Sequence, residues 1–176
     1  DDEVVHGIPS NRVLKEGEII GIDVGSIYDD FYGDHARTFA VGKISEKKQK
    51  LLDITKQSLM LGIEEVKTNA KVGNIGSAIQ NYVEQNGFSV VRELVGHGIG
   101  RKLHEEPQVP NFGNYNQGPV IENGLCIAIE PMVNMGSFEV YTKKDNWTIS
   151  TADGLPSAHF EHSIAFFDDK VKILTI

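Results

Sequence analysis

The stretch Gly96-His97-Gly98-Ile99-Gly100-Arg101-Lys102-Leu103-His104-Glu105-Glu106-Pro107 sets two histidines among glycines and follows them with paired acids, a combination that asks for a chemical reason. Glycines on both sides of His97 let the backbone pass close to a ligand or take dihedrals that a side chain forbids, so an imidazole there can be presented to a metal or a substrate. The plainer alternative is a glycine-rich turn carrying two surface histidines, and the stretch taken alone leaves both open. A phosphate cradle is disfavoured: Gly98-x-Gly100 lacks a third glycine at the dinucleotide spacing, and no Gly-Lys-Ser/Thr is present.

Composition narrows the class further. At 176 residues, 40% of them hydrophobic, the chain can bury a full core as one domain. No apolar run reaches bilayer-spanning length, so no membrane partner is expected. The formal net charge of -8 disfavours nucleic acid as the main ligand. One cysteine, Cys126, rules out an internal disulfide framework and predicts a reducing, cytoplasmic setting.

Val4-Val5-His6-Gly7-Ile8-Pro9 reads as a strand running into a turn with no helix cap or targeting signal before it, so the chain is expected to begin within a domain. Ile19 to Val24 reads as an apolar strand interrupted by Asp23, and Phe31 to Val41 as a second strand carrying Asp34. An antiparallel hairpin turning between Tyr28 and Asp29 pairs Asp23 with Asp34, their Cβ atoms about 5 Å apart. Like charges so placed cost stability by repulsion and by burial, and a divalent cation removes both penalties. A register slip, with one aspartate in the turn or paired with Arg37, is the alternative.

Ser45 to Lys67 reads as a helix capped by Ser45, with Leu52, Leu59, Ile63 and Val66 near helical spacing. Ile75 to Asn86 reads as a second helix, its face formed by Ile75, Ile79 and Val83 and its end marked by Gly87. Pro107 to Pro119 has loop composition. Leu125 to Ile129 reads as a buried strand ending in Glu130-Pro131, and Ala158 to Phe166 as another strand with Glu161 in its middle. Taken singly, either glutamate is explained as well by an exposed edge. Together, four acids in apolar strands and a glycine-flanked histidine form hard oxygen donors with one nitrogen, suited to two divalent cations such as Mn, Co, Fe or Zn.

The ordered set His6-Gly7-Ile8-Pro9, Ile22-Asp23-Val24, Gly33-Asp34, Gly96-His97-Gly98-Ile99-Gly100, His104-Glu105-Glu106-Pro107, Ile129-Glu130-Pro131-Met132-Val133 and Phe160-Glu161-His162 closely resembles the type I methionine aminopeptidase family. The similarity covers nearly the whole chain, and the order and separations of the motifs are far more specific than any one of them. The resemblance implies the α+β pita-bread fold of creatinases and aminopeptidases, in which curved antiparallel sheet is backed by helices and two pseudo-twofold halves meet at a dinuclear metal centre. It assigns the ligands to Asp23, Asp34, His97, Glu130 and Glu161. Asp34 and Glu161 then bridge both ions, Asp23 completes one site, and His97 with Glu130 completes the other. A metal-bridging water or hydroxide is the implied nucleophile.

The same resemblance makes Glu130 a proton shuttle, His104 a donor to the developing oxyanion and His6 a contact near the scissile nitrogen. Trp147 becomes a wall of the methionine pocket, and Leu103 stands where an aromatic pocket residue is common. The implied activity is removal of the N-terminal methionine from nascent proteins and peptides with a small second residue. Peptide or nascent-chain N-termini are the implied partners, a ribosome contact stays open, and the chain is expected to be a monomer. Family members carry a helical segment and further pocket residues upstream of the His6 motif. Residues 1–176 are therefore expected to be a single catalytic domain short of its N-terminal part. Prolidase and creatinase relatives share the fold and ligands, yet are expected to differ around Glu130-Pro131-Met132-Val133. A non-catalytic peptide-binding pita-bread module is expected to have lost ligands, and none is lost here. The absence of a long insertion in the second half favours type I over type II.

Overall fold

The computed structural model describes residues 1–175. Strand β1 (Glu3–Val5) precedes a long ribbon, β2 (Ile19–Tyr28) and β3 (Phe31–Ala40), and two helices follow, α1 (Glu46–Glu64) and α2 (Val72–Gln85). The remainder is short strands: β4 (Ser89–Val90), β5 (Gly96–Gly98), β6 (Glu105–Val109), β7 (Leu125–Ile129), β8 (Met132–Asn134) and β9 (Val140–Thr142). The last four are β10 (Ile149–Thr151), β11 (Ser157–His159), β12 (His162–Phe167) and β13 (Lys170–Ile173). Among the described residues the strands form a sheet of order β13-β12-β7-β5-β6, two three-stranded sheets, β11-β8-β4 and β1-β10-β9, and the β2-β3 ribbon. All of these pairings are antiparallel.

Both expected helices form, but α1 ends three residues before Lys67, at Glu64, and α2 begins three residues before Ile75, at Val72. The Ser45 side chain accepts a bond from the Lys48 N–H at 3.3 Å, satisfying one of the free donors of the first turn of α1. Leu59 and Ile63 of α1 and Ile75, Ile79 and Val83 of α2 are buried in one core with Ile127, Ile129 and Val133 of the sheets. Each such side chain is worth about 1.5 to 3 kcal/mol on burial. The helices cross tightly because Gly62 carries no side chain: a Cβ there would stand 2.8 Å from Ile79 Cδ1. Helix α2 stops at Gly87, whose φ of +81° is open to glycine and costly for most other residues.

The ribbon corrects the expected register. Its turn is Asp29-Asp30, both left-handed at φ 49° and 62°, so Asp23 faces Ala36 and Asp34 faces Gly25. A two-residue turn with both central residues at positive φ matches the twist of the flanking strands, and aspartate tolerates that conformation. The turn therefore lies one residue later than expected, and the pairing moves by two. Because side chains alternate with period two, Asp23 and Asp34 still share a face, as diagonal neighbours instead of opposed ones. On the other face Ile22, Val24, Phe31 and Phe39 are about half exposed.

The expected strand from Ala158 to Phe166 is also corrected. It divides into β11, paired with β8, and β12, paired with β7, so Glu161 lies where the chain passes from one sheet to the other. There the Glu161 N–H leaves both ladders and donates to Ala36 O of β3 at 2.8 Å.

Candidate metal centre

His97 is the middle residue of β5, which lies between β6 and β7. The structure gives its flanking glycines a different reason from the expected one. A Cβ on Gly96 would run into the Ala128 carbonyl, and one on Gly98 into the Glu106 carbonyl. Neither has positive φ. The glycines thus let three strands close around His97. Its Nδ1 donates to Gly98 O at 3.0 Å, which leaves the Nε2 lone pair free to face a ligand.

The carboxylates arrive from three directions. Asp23 and Asp34 come from the ribbon, Glu130 from the junction after β7, and Glu161 from the sheet switch. Ligating atoms of Asp34, His97 and Glu161 all lie within 4.8 Å of one another. Glu130 Oε1 is 3.4 Å from His97 Nε2. A seam of hydrogen bonds holds the ribbon to β12. The Asp34 N–H donates to Ser163 Oγ at 3.0 Å, Ser163 Oγ–H donates to Asp34 O at 2.8 Å, and His35 Nδ1 donates to Glu161 O at 2.6 Å.

Electrostatics at this point are severe without a cation. Glu161 is 2% exposed, and its Oε1 is buried with no hydrogen-bond partner. Burial first, and then the charges of Glu130, Asp34 and Asp23, push its carboxyl up to about 10. Asp23 is raised too, chiefly by burial, with Asp34 and Glu130 adding to the shift and His159 opposing it. An orphaned buried carboxylate oxygen among three further acids and an imidazole lone pair is the donor set a divalent cation satisfies. The residues therefore fit such ions.

All nine residues singled out in the sequence line one cleft of about 930 Å³. Asp23, Asp34, His97, Glu130 and Glu161 share its wall with His6, Leu103, His104 and Trp147. His104 meets His97 edge-on, ring centroids 4.4 Å apart. His6 has φ 61°, sparsely populated for a residue with a Cβ, and stacks on Trp147 at 4.8 Å. Trp147 is fixed in turn by Asp145, whose Oδ1 accepts the Trp147 and Thr148 N–H groups, each at 3.0 Å.

Residues 1–166 match the model of metallopeptidase family M24. The chain belongs to that family. It is 52% identical to methionine aminopeptidase 1 of Bacillus subtilis over 175 residues, 99% of this chain and 71% of that protein. The crystal structure of methionine aminopeptidase from Rickettsia prowazekii superposes with a TM-score of 0.98 at 42% identity, over 99% of this chain and 71% of that one. Prolidase from Pyrococcus furiosus, at 22% identity and a TM-score of 0.78 over 97% of this chain and 45% of that one, shares the fold. The architecture expected from the sequence, α+β with antiparallel sheet and backing helices, is thus that of M24 methionine aminopeptidases.

Residues at or beside this M24 site that went unread in the sequence include His35, Thr38, His159 and Ser163. Ser163 and Thr38 look like ordinary strand positions, and only the packing of the ribbon on β11 and β12 gives them partners. The glycine geometry yields a prediction. Gly98→Ala should destabilise the chain by about 1 to 3 kcal/mol, because two strands must part to admit one methyl group. It should weaken Mn²⁺ uptake in the same samples by moving His97. Thermal melts and calorimetric titrations check both, and an unchanged pair would show that β5 is loosely held.

Proposed function

We propose that this chain is a metal-dependent methionyl aminopeptidase that removes N-terminal methionine from peptides and nascent proteins with a small second residue. One observation carries the reading: four carboxylates and His97 converge in a cleft whose lining also carries His6, His104 and Trp147. In this reading Asp23, Asp34, His97, Glu130 and Glu161 hold two divalent ions, of Mn, Co, Fe or Zn. Such a pair supplies Lewis acidity at the peptide carbonyl and a nucleophile drawn from water at neutral pH.

The chain's own residues do the rest. Asp34 and Glu161, tied to one another through Ser163 and His35, keep the two sides of the cradle at fixed separation. Glu130 accepts a proton as the nucleophile attacks and returns it to the leaving amine. His104, on the cleft lining beside His97, donates to the carbonyl oxygen as it gains charge. His6 meets the peptide near the scissile nitrogen. Leu103 and Trp147 wall the methionine side chain, whose burial is worth about 1.5 to 3 kcal/mol. Residues 1–176 act as one catalytic domain, as a monomer and in the cytoplasm, a setting that the single free cysteine, Cys126, supports. Nascent chains at the ribosome are the natural source of substrate.

Peptide choice tests the reading. With Mn²⁺ present, methionine should be released from a Met-Gly-headed peptide at least about ten times faster than an Xaa-Pro dipeptide is cleaved, the difference of one well-filled pocket. Preferential Xaa-Pro cleavage would move the chain to the prolidase reading, and tight binding of both without cleavage to the binding-module reading.

A further inference from the structure

His159 lies outside the cleft lining, behind Glu130. It is 4% exposed, and its Nε2 is buried without a hydrogen-bond partner. The Thr38 hydroxyl donates to His159 O at 2.9 Å and accepts the His159 N–H at 2.9 Å, so one side chain of the ribbon satisfies both polar groups of this residue. In the ladder His159 faces Met132, two residues beyond Glu130. From that anchored position Nε2 faces Glu130 Oε2 at 3.6 Å, while the other oxygen, Oε1, faces His97 Nε2 at 3.4 Å. The Glu130 carboxylate thus stands between two imidazoles, one on the cleft and one behind it.

A buried ring nitrogen with no partner keeps the full cost of leaving water, and such groups are rarely left without a purpose. At 3.6 Å the pair lies about 0.4 Å beyond the upper end of hydrogen-bond range, so the contact forms only when the Glu130 carboxylate turns toward the ring. We propose that His159 is a positioning residue for Glu130. Its Nε2–H holds Oε2 and so fixes the plane in which Oε1 is offered to the cradle. Carboxylates that ligate metals are commonly oriented by such outer partners. This rests on reading Glu130 as a ligand and proton carrier.

The test compares His159→Leu, which removes the donor, with His159→Gln, which keeps an N–H donor at similar reach. Mn²⁺ alone is titrated calorimetrically into the metal-stripped chain, and kcat and KM are measured on a Met-Gly-headed peptide. His159→Leu should weaken the binding of an ion by about 10- to 100-fold, as loss of a residue that orients a metal ligand does, and should lower kcat with little change in KM. His159→Gln should recover most of both. Equal losses in the two variants would overturn the proposal in favour of a packing role, and unchanged binding and kcat in His159→Leu would overturn it outright. Failure of the unaltered chain to bind Mn²⁺ is a different result: it removes the metal-centre reading, and this proposal falls with it.

Discussion

Replacing Glu161 by glutamine is expected to abolish metal-dependent turnover while making the metal-free chain more stable above neutral pH. The two effects share one cause. Glu161 is nearly inaccessible, its Oε1 has no partner, and burial with Glu130, Asp34 and Asp23 nearby raises its carboxyl to about 10 from an ordinary 4.5. Between those two values the folded, metal-free chain holds a proton that the unfolded chain has released. Stability then falls as pH rises through that window, and is fully present only below about 4.5. At pH 7 the penalty is roughly 3 kcal/mol for this group alone. Asp23, shifted in the same direction, adds to it. Glutamine carries no charge to neutralise, so in chelator the variant should melt several degrees above the unaltered chain at pH 8, with the difference shrinking as pH falls toward 4.5. Its Mn²⁺ affinity should fall by more than the 10- to 100-fold typical of losing an outer-shell partner. Melts in chelator from pH 5 to 9 decide the matter: a flat profile for the unaltered chain would mean that no buried proton is held at Glu161.

His104→Ala is expected to lower kcat by about 10²- to 10³-fold, the usual cost of losing one donor to a developing oxyanion. His104 is exposed on the cleft lining, so its removal leaves the core and the melting temperature untouched. It stands against His97 ring to ring and is not among the residues whose ligating atoms cluster, so Mn²⁺ affinity should also be unchanged. The expected pattern is a kcat defect with KM within a few-fold of normal. If metal affinity fell in parallel with kcat, His104 would be supporting His97 instead of acting on the substrate.

Much of the scaffold was legible because local rules and tertiary packing agree in it. Ser45 caps α1 where its hydroxyl meets the Lys48 N–H, and Ile75, Ile79 and Val83 recur at the period that turns one face of α2 inward. The ribbon register was not legible. Whether the turn falls at Tyr28-Asp29 or Asp29-Asp30 depends on two aspartates accepting positive φ, and the alternating pattern is satisfied either way. The break at Phe160-Glu161 was hidden for a related reason: alternation runs on through a residue pair that changes sheets. The four acids were found because carboxylates in apolar strands are costly without a cation, whereas His6, Leu103, His104 and Trp147 came from the family resemblance alone. His159 was not found, because its meaning depends on Thr38, 121 residues away in the chain, and on a carboxylate beside it in space only.

If the convergent acids and His97 form a metal centre that drives methionine release, activity must follow the ions bound. The most direct measurement titrates Mn²⁺ into the metal-stripped chain while methionine release from a Met-Gly-headed peptide is followed in the same samples. No release is expected at the start, followed by activity that rises with the ions bound and saturates when the centre is filled. Release that is independent of added Mn²⁺ and persists in chelator would contradict this expectation.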